Sequence, residues 1–81
     1  MTVKLNDKQY DFLKEHLSVD RPELLKFFDN KSNLIFVIDE DIANDVRDWA
    51  GEKLQKEGFD INYNLNKKGI ILEQLEDLFY S

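Results

Sequence analysis

Three oxygen-bearing side chains alternate along residues 60–64 in the pattern that begins a calcium-binding loop: Asp60, Asn62 and Asn64. An EF-hand loop needs such oxygens at its first, third and fifth positions, a glycine at the sixth and a bidentate glutamate at the twelfth. Counted from Asp60, the sixth position is Leu65 and the twelfth is Ile71, so the sharp turn and the last ligand are both missing. Asp and Asn also favour turns because they bond to local backbone. We therefore predict a structural loop between two helices, with no metal and no cofactor.

Other residue types that carry catalysis are absent or isolated in this chain. It contains no cysteine, and His16 is the sole histidine, so thiolate sites and paired-histidine metal sites are excluded. His16 lies near the expected end of the first helix, where a solvated or locally bonded imidazole is the simplest interpretation. The three glycines form no phosphate-binding loop, and no serine stands in a nucleophile motif. The sequence thus predicts a non-enzymatic protein.

The candidate functional surface is a row of four carboxylates in the middle of the chain, here called the acidic stripe: Asp41, Asp45, Asp48 and Glu52. Spacings of four, three and four residues place them along one edge of a helix. The helix dipole accounts for Asp41 in the first turn, whereas Asp45 and Asp48 lie deeper, where that benefit fades. Like charges four residues apart also oppose the helix slightly. The stripe is either a solvated face that keeps a small protein soluble or a docking surface for a basic partner.

The charge distribution favours a basic protein partner over nucleic acid. The formal net charge is −6, and residues 32–60 alone carry three basic against eight acidic side chains. Such a region repels phosphate backbones and anionic lipid head groups. No apolar run approaches the roughly 20 residues that span a bilayer, and the N-terminal residues lack the apolar stretch of a signal peptide. We expect a cytoplasmic protein that binds neither nucleic acid nor membranes directly.

Periodicity and capping signals predict four helices, near residues 6–17, 22–29, 39–57 and 66–80. Asn6 and Gln9 form a capping-box pattern, and Asp39 and Asn66 are candidate caps for the last two helices. A polar loop at 29–33 separates the second helix from the apolar run 34–38, which predicts a buried strand. Residues 2–5 are the best partner for that strand. The alternating residues Ile61, Tyr63 and Leu65 are the second choice, weakened by the Asx residues between them.

With 81 residues, 42% of them hydrophobic and 12% aromatic, the chain can build one compact core. We predict a single helix-rich domain over residues 1–81. Its fold class is mainly α, a small bundle of about four helices with at most a short two-stranded β element. The third and fourth helices should form a hairpin, with the first two packed across them. Gly58 should end the third helix in the left-handed conformation, with Phe59 packing back on Leu54.

Two aromatic residues, Phe12 and Tyr80, fall off the main apolar faces of their helices. They either complete the core or mark a partner or dimer surface. The leading hypothesis is a non-catalytic interaction module that binds a basic protein surface, as immunity proteins and nucleic-acid-mimicking inhibitors do. This analogy rests on size and charge alone. The alternative is a structural or assembly subunit that associates through apolar contacts at Phe12 and Tyr80. The sequence leaves homo-oligomerisation undetermined.

Overall fold

The computed structural model describes residues 1–29 and 33–80, so part of the polar loop predicted at 29–33 lies outside the described residues. The described elements follow in the order β1 (Thr2–Lys4), α1 (Asp7–Asp20), a 3₁₀ helix (Pro22–Phe28), β2 (Ile35–Val37), α2 (Glu40–Glu57) and α3 (Lys67–Leu78). This mainly α architecture with a small two-stranded sheet confirms the predicted fold class. None of the described helices is both long and apolar enough to cross a membrane.

The predicted capping box starts α1. The Asn6 side chain accepts a hydrogen bond from the Gln9 backbone N–H at 2.8 Å, and the Gln9 side chain accepts one from the Asn6 N–H at 3.0 Å. The helix continues to Asp20, beyond the predicted end near Leu17. That prediction was wrong because the last turn is held partly by distant residues, since the Asp20 carboxylate accepts hydrogen bonds from side chains of α2.

The two strands pair antiparallel, in the register Thr2 with Val37, Val3 with Phe36 and Lys4 with Ile35. This pairing confirms residues 2–5 as the partner of the central apolar run. The second choice forms no strand in the described chain, where Leu65 makes only an isolated bridge with Phe59. Because side chains alternate along a strand, the sheet buries Val3 and Phe36 and exposes their neighbours.

The core lies between the three α-helices and the inner face of the sheet, and the 3₁₀ helix contributes its buried residues Leu24 and Phe28 to it. Phe28 packs edge-on against Phe36 and Phe79, with ring centroids 5.2 and 5.8 Å away. The Tyr10 hydroxyl donates a buried hydrogen bond to the Phe28 carbonyl at 2.9 Å. These contacts tie the 3₁₀ helix to α1, to β2 and to the end of α3.

The predicted hairpin is formed by α2 and α3, and two glycines allow its close approach. Gly58 has φ −90° and ψ −4°, so the left-handed conformation predicted for it was wrong. Its role is spatial, because a Cβ there would lie 2.7 Å from the Leu54 carbonyl oxygen and 3.1 Å from the Gly69 Cα. A Cβ on Gly69 would in turn meet the carbonyl group of Gly58, with its carbon at 2.9 Å. Both positions need glycine because two backbones touch.

Candidate functional site

The acidic stripe lies on one edge of α2, which is continuous from Glu40 to Glu57. The Asp39 side chain caps the helix as predicted, accepting a hydrogen bond from the Ile42 N–H at 2.9 Å. Three stripe residues are exposed and one is partly buried: Asp41, Asp48 and Glu52 are exposed, and Asp45 is partly buried. Within residues 1–29 and 33–80, no hydrogen bond or ion pair reaches any of these four carboxylates.

Several neighbouring cations are engaged elsewhere. Ion pairs in the described chain use carboxylates outside the stripe: Lys53–Asp20 at 2.8 Å, Lys53–Glu57 at 2.8 Å, Lys68–Glu57 at 3.2 Å and Arg21–Glu23 at 3.1 Å. Arg47, although on α2, places its guanidinium over the Tyr80 ring, 5.4 Å from the centroid. Since these cations already have partners, the negative charge of the stripe is largely uncompensated.

The two ends of the stripe differ in surroundings. Glu52 lines a shallow cleft of about 220 Å³ together with Arg21 and Lys56, so cations lie near it without forming an ion pair. The carboxylates at the other end are not part of this cleft. The strongest uncompensated charge is therefore at the N-terminal end of the stripe, with Asp41, Asp45 and Asp48.

The two aromatic candidates have different environments. Phe12 is only 8% exposed and lies in the core, with its ring 4.2 Å from that of His16. Tyr80 is 70% exposed and contacts Arg47. Of the two, only Tyr80 presents its ring to solvent, and the stripe and Phe12 do not form one surface.

A buried lysine forms a polar cluster that the sequence analysis missed. Lys53 is 8% exposed and is the sole buried charged residue of the described chain. Its ammonium donates to Asp20 Oδ2 and to Glu57 Oε2, each at 2.8 Å. Trp49 Nε1 donates to the same Asp20 oxygen at 3.0 Å. A signal was present, because Lys53 follows Val46 by seven residues and Trp49 by four, which places it on the apolar face of α2.

The pKa values show what this cluster can do chemically. Burial lowers the pKa of Lys53, but its hydrogen bonds to Asp20 and Glu57 together outweigh burial, and the net pKa is raised. The same bond from Lys53, with that from Trp49, lowers the pKa of Asp20. A lysine nucleophile or Schiff-base lysine requires a lowered pKa. The Lys53 ammonium instead stays protonated and links the end of α1 to α2.

His16 departs from the expectation drawn from the helix dipole. Because α1 extends to Asp20, His16 is not in its last turn. The side chain is partly buried against Phe12. Burial, followed by the positive charge of Lys53, lowers the pKa of His16 below its usual 6.5. The neutral imidazole is therefore favoured at neutral pH.

Local hydrogen bonds hold the loop of residues 58–69. Asp60 Oδ1 accepts hydrogen bonds from the N–H groups of Asn62 at 2.8 Å and Asn64 at 3.0 Å. Asn66 caps α3 through the Gly69 N–H at 2.8 Å and also donates to the Glu57 carbonyl at 2.8 Å. Of the three side chains that suggested a calcium loop, Asp60 thus bonds to the local backbone. In the described residues, no three His, Asp or Glu side chains are grouped as a metal site.

Comparison of the chain with protein-family models, with curated proteins and with solved structures finds no match. Function is therefore inferred from the described surface, where the acidic stripe and the exposed apolar side chains are the distinctive features.

Proposed function

We propose that the protein is a non-catalytic interaction module whose acidic stripe docks on a basic surface of another protein, in the manner of an immunity protein or inhibitor. The observation that supports this most is the contrast in charge pairing. Asp20, Glu23 and Glu57 have cationic partners at 2.8–3.2 Å, whereas the stripe has none in the described chain. A row of uncompensated carboxylates accelerates and orients docking on a cationic surface.

The rigidity of α2 makes the stripe suitable for this role. Its N-terminus is capped by Asp39, its middle is anchored by the buried Val46 and Ala50, and its C-terminal half is held by the Lys53 ion pairs. A surface on a well-anchored helix loses little conformational entropy when it binds. We assign this interaction to the cytoplasm, with which the cysteine-free composition is compatible.

The test is affinity capture from a lysate of the source cells, at low and at high salt. The stripe variant changes three carboxylates to their amides: Asp45→Asn, Asp48→Asn and Glu52→Gln. A matched control removes three exposed carboxylates outside the stripe: Glu15→Gln, Glu73→Gln and Asp77→Asn. We expect the wild type and the control to retain a basic protein at low salt. The stripe variant should lose it, and high salt should release it, because screening weakens exposed charge pairs.

A second candidate function is assembly through apolar contacts. It is favoured by exposed large apolar side chains, of which Tyr80 is 70%, Tyr63 86% and Ile61 95% exposed. Binding through such residues is insensitive to salt and to the stripe substitutions. Capture that survives both would contradict docking through the stripe and favour apolar assembly, which Tyr80→Ser would then weaken.

A further inference from the structure

Strand β2 has an outer edge whose main-chain groups are free at Val37. Met1 and Ile38 exchange two hydrogen bonds, at 2.6 and 2.9 Å. Because bonded and non-bonded pairs alternate in an antiparallel ladder, the next pair, Thr2 and Val37, is non-bonded. The N–H and C=O of Val37 therefore point away from β1, and no other part of the described chain supplies them with a partner.

The same edge carries exposed apolar side chains. Val37 is 82% exposed and Ile35 is 44% exposed, whereas Phe36 between them is buried. Residues two apart lie on one face of a strand, so Ile35 and Val37 form a β-branched surface on the side away from the core. An exposed strand edge with such side chains is a template for pairing with another strand.

The two ends of β2 indicate where an added strand would extend. At the start, the Ile35 N–H is already bonded to the Asn33 side chain at 3.1 Å. At the other end, β2 leads within three residues to the acidic first turn of α2, with Glu40 and Asp41 both exposed. A strand added here would therefore run beside Val37 toward these carboxylates.

We propose that the outer edge of β2 accepts an extended segment of the basic partner as a third strand. Its main chain bonds to the free groups of Val37 and to the Ile35 carbonyl, and its apolar side chains cover Ile35 and Val37. Its cationic side chains face Glu40 and Asp41. In strand addition, main-chain bonds supply affinity and side chains supply specificity. The inference rests on the proposed function, since it assigns the same partner a second contact.

Charge selects this occupant over a second copy of the chain. A second copy carries its own net charge of −6, and its own acidic turn follows directly on its β2. Parallel pairing of two β2 edges would place these acidic turns side by side, and pairing in either orientation joins two chains of net charge −6, which disfavours association. An extended segment with alternating apolar and cationic residues complements both features of the edge.

The probe is a capped six-residue peptide of alternating lysine and valine. Its control is the fully N-methylated peptide of the same sequence, which keeps the side chains and charge but donates no main-chain N–H. Two protein variants are matched: Val37→Pro removes the free outward N–H of β2, and Thr2→Pro removes an outward N–H of β1. Neither N–H belongs to the ladder, so proline is tolerated. NMR titration gives the affinity, and hydrogen exchange reports on the Val37 amide.

We expect the peptide to bind the wild type and Thr2→Pro alike, with about tenfold or greater loss for Val37→Pro and for the methylated peptide. Exchange of the wild-type Val37 amide should slow by a similar factor when the peptide binds. If Val37→Pro does not fold, the affinities of the two peptides for the wild-type protein still test the proposal.

Several results would overturn the proposal: equal binding of both peptides, unchanged exchange of the Val37 amide, or no binding up to about 1 mM peptide. A dimer of the free protein that Val37→Pro dissociates would assign the edge to a second copy instead. If both peptides bind equally and the stripe variant weakens both, strand addition fails while docking through the acidic stripe stands. If the stripe variant binds the peptide like the wild type, while Val37→Pro and the methylated peptide lose binding, strand addition stands and docking through the acidic stripe fails.

Discussion

Lys53 shows how a full charge is accommodated inside a small core. Burying an isolated ammonium is costly, and two carboxylates offset that cost only if they approach with good geometry. Asp20 and Glu57 do so at 2.8 Å each, while their own side chains remain 32% and 42% exposed. Asp20 also accepts the Trp49 indole N–H, so one carboxylate satisfies two buried donors. The cluster fixes the end of α1 on α2 and so positions the helix that carries the stripe.

Replacing Asp20 by asparagine should lower the free energy of unfolding by about 1 kcal/mol at pH 7, because the Lys53 ammonium keeps one counter-charge instead of two. The pKa of Asp20 is lowered from 3.8 in the folded protein. Its charge therefore stabilises the fold above pH about 4, and that stabilisation is lost as the pH falls through the folded-state pKa. The difference between variant and wild type should shrink below pH about 4. Urea unfolding followed by Trp49 fluorescence from pH 7 to 3 measures it.

The control for this prediction is Glu23→Gln. Glu23 also has a lowered pKa, caused first by its bond to Arg21, but that pair is exposed, at 61% and 38%. Exposed pairs contribute little to stability, so this variant should unfold like the wild type. A deficit in Asp20→Asn that stays constant down to pH 3 would mean that lost hydrogen-bond geometry, rather than lost charge, is responsible.

Among the helices and strands, short-range sequence patterns correctly predicted the features that short-range contacts stabilise. The capping box at Asn6 and the caps at Asp39 and Asn66 each involve partners three residues away, and all were legible in the sequence. The extent of α1 and the ion pair of Lys53 were not, because Asp20 lies 33 residues from Lys53. The outward edge of β2 was equally hidden, since it depends on which side of the strand β1 occupies.

Gly58 illustrates the same limit. Its position after α2 predicted a left-handed residue, but the structure needs glycine there because a Cβ would crowd the Leu54 carbonyl oxygen of α2 and the Gly69 Cα of α3. The crossing point is defined by the Gly58 carbonyl, which accepts a hydrogen bond from the Asn66 N–H at 2.9 Å and leaves no room for a Cβ on Gly69. A single sequence shows that a glycine is present without showing which of these requirements it meets.

Substituting Gly69 by alanine should lower the free energy of unfolding by about 1–3 kcal/mol, because the new methyl group forces the α2–α3 hairpin apart. Gly51→Ala is the matched control on the same pair of helices. A Cβ at Gly51 would lie 3.5 Å from the Glu76 carboxylate, an ordinary contact, so helix propensity should raise stability by up to about 1 kcal/mol. Chemical denaturation of both variants measures the two changes in the free energy of unfolding, which should have opposite signs. Equal effects would show that the hairpin does not depend on close approach at Gly69.

Among the described residues, most ion pairs lie at one end of α2. The Lys53, Lys68 and Glu57 side chains meet near its C-terminus, while the stripe extends toward its N-terminus and forms no ion pair in the described chain. The result is a polarised helix whose acidic end adjoins the free edge of β2. Composition alone gave the net charge of −6. The carboxylates that lack a cationic partner could be identified only from the fold, because ion pairing depends on residues far apart in the sequence.

This arrangement predicts that the stripe costs stability in the isolated protein. Asp45 forms like-charge pairs with Asp41 and Asp48, and Asp48 with Glu52, at helical spacings of three and four. Asp45→Asn with Asp48→Asn should therefore raise the free energy of unfolding at low salt by about 0.5–1 kcal/mol. The gain should vanish near 1 M salt, where the screening length falls to about 3 Å. Urea unfolding at both salt concentrations measures it.

The control with the opposite sign is Asp7→Asn. Asp7 is exposed in the first turn of α1, where a carboxylate interacts favourably with the helix dipole, so its amide should lower stability by about 0.3–1 kcal/mol at low salt. If the double variant Asp45→Asn, Asp48→Asn is instead no more stable than the wild type, the stripe carboxylates are neutralised within the fold. They would then have no free charge to offer a partner, and docking through the stripe would lose its physical basis. A gain in the free energy of unfolding at low salt that disappears at high salt would show that the stripe carboxylates oppose folding of the free protein. Such carboxylates are available to a cationic surface.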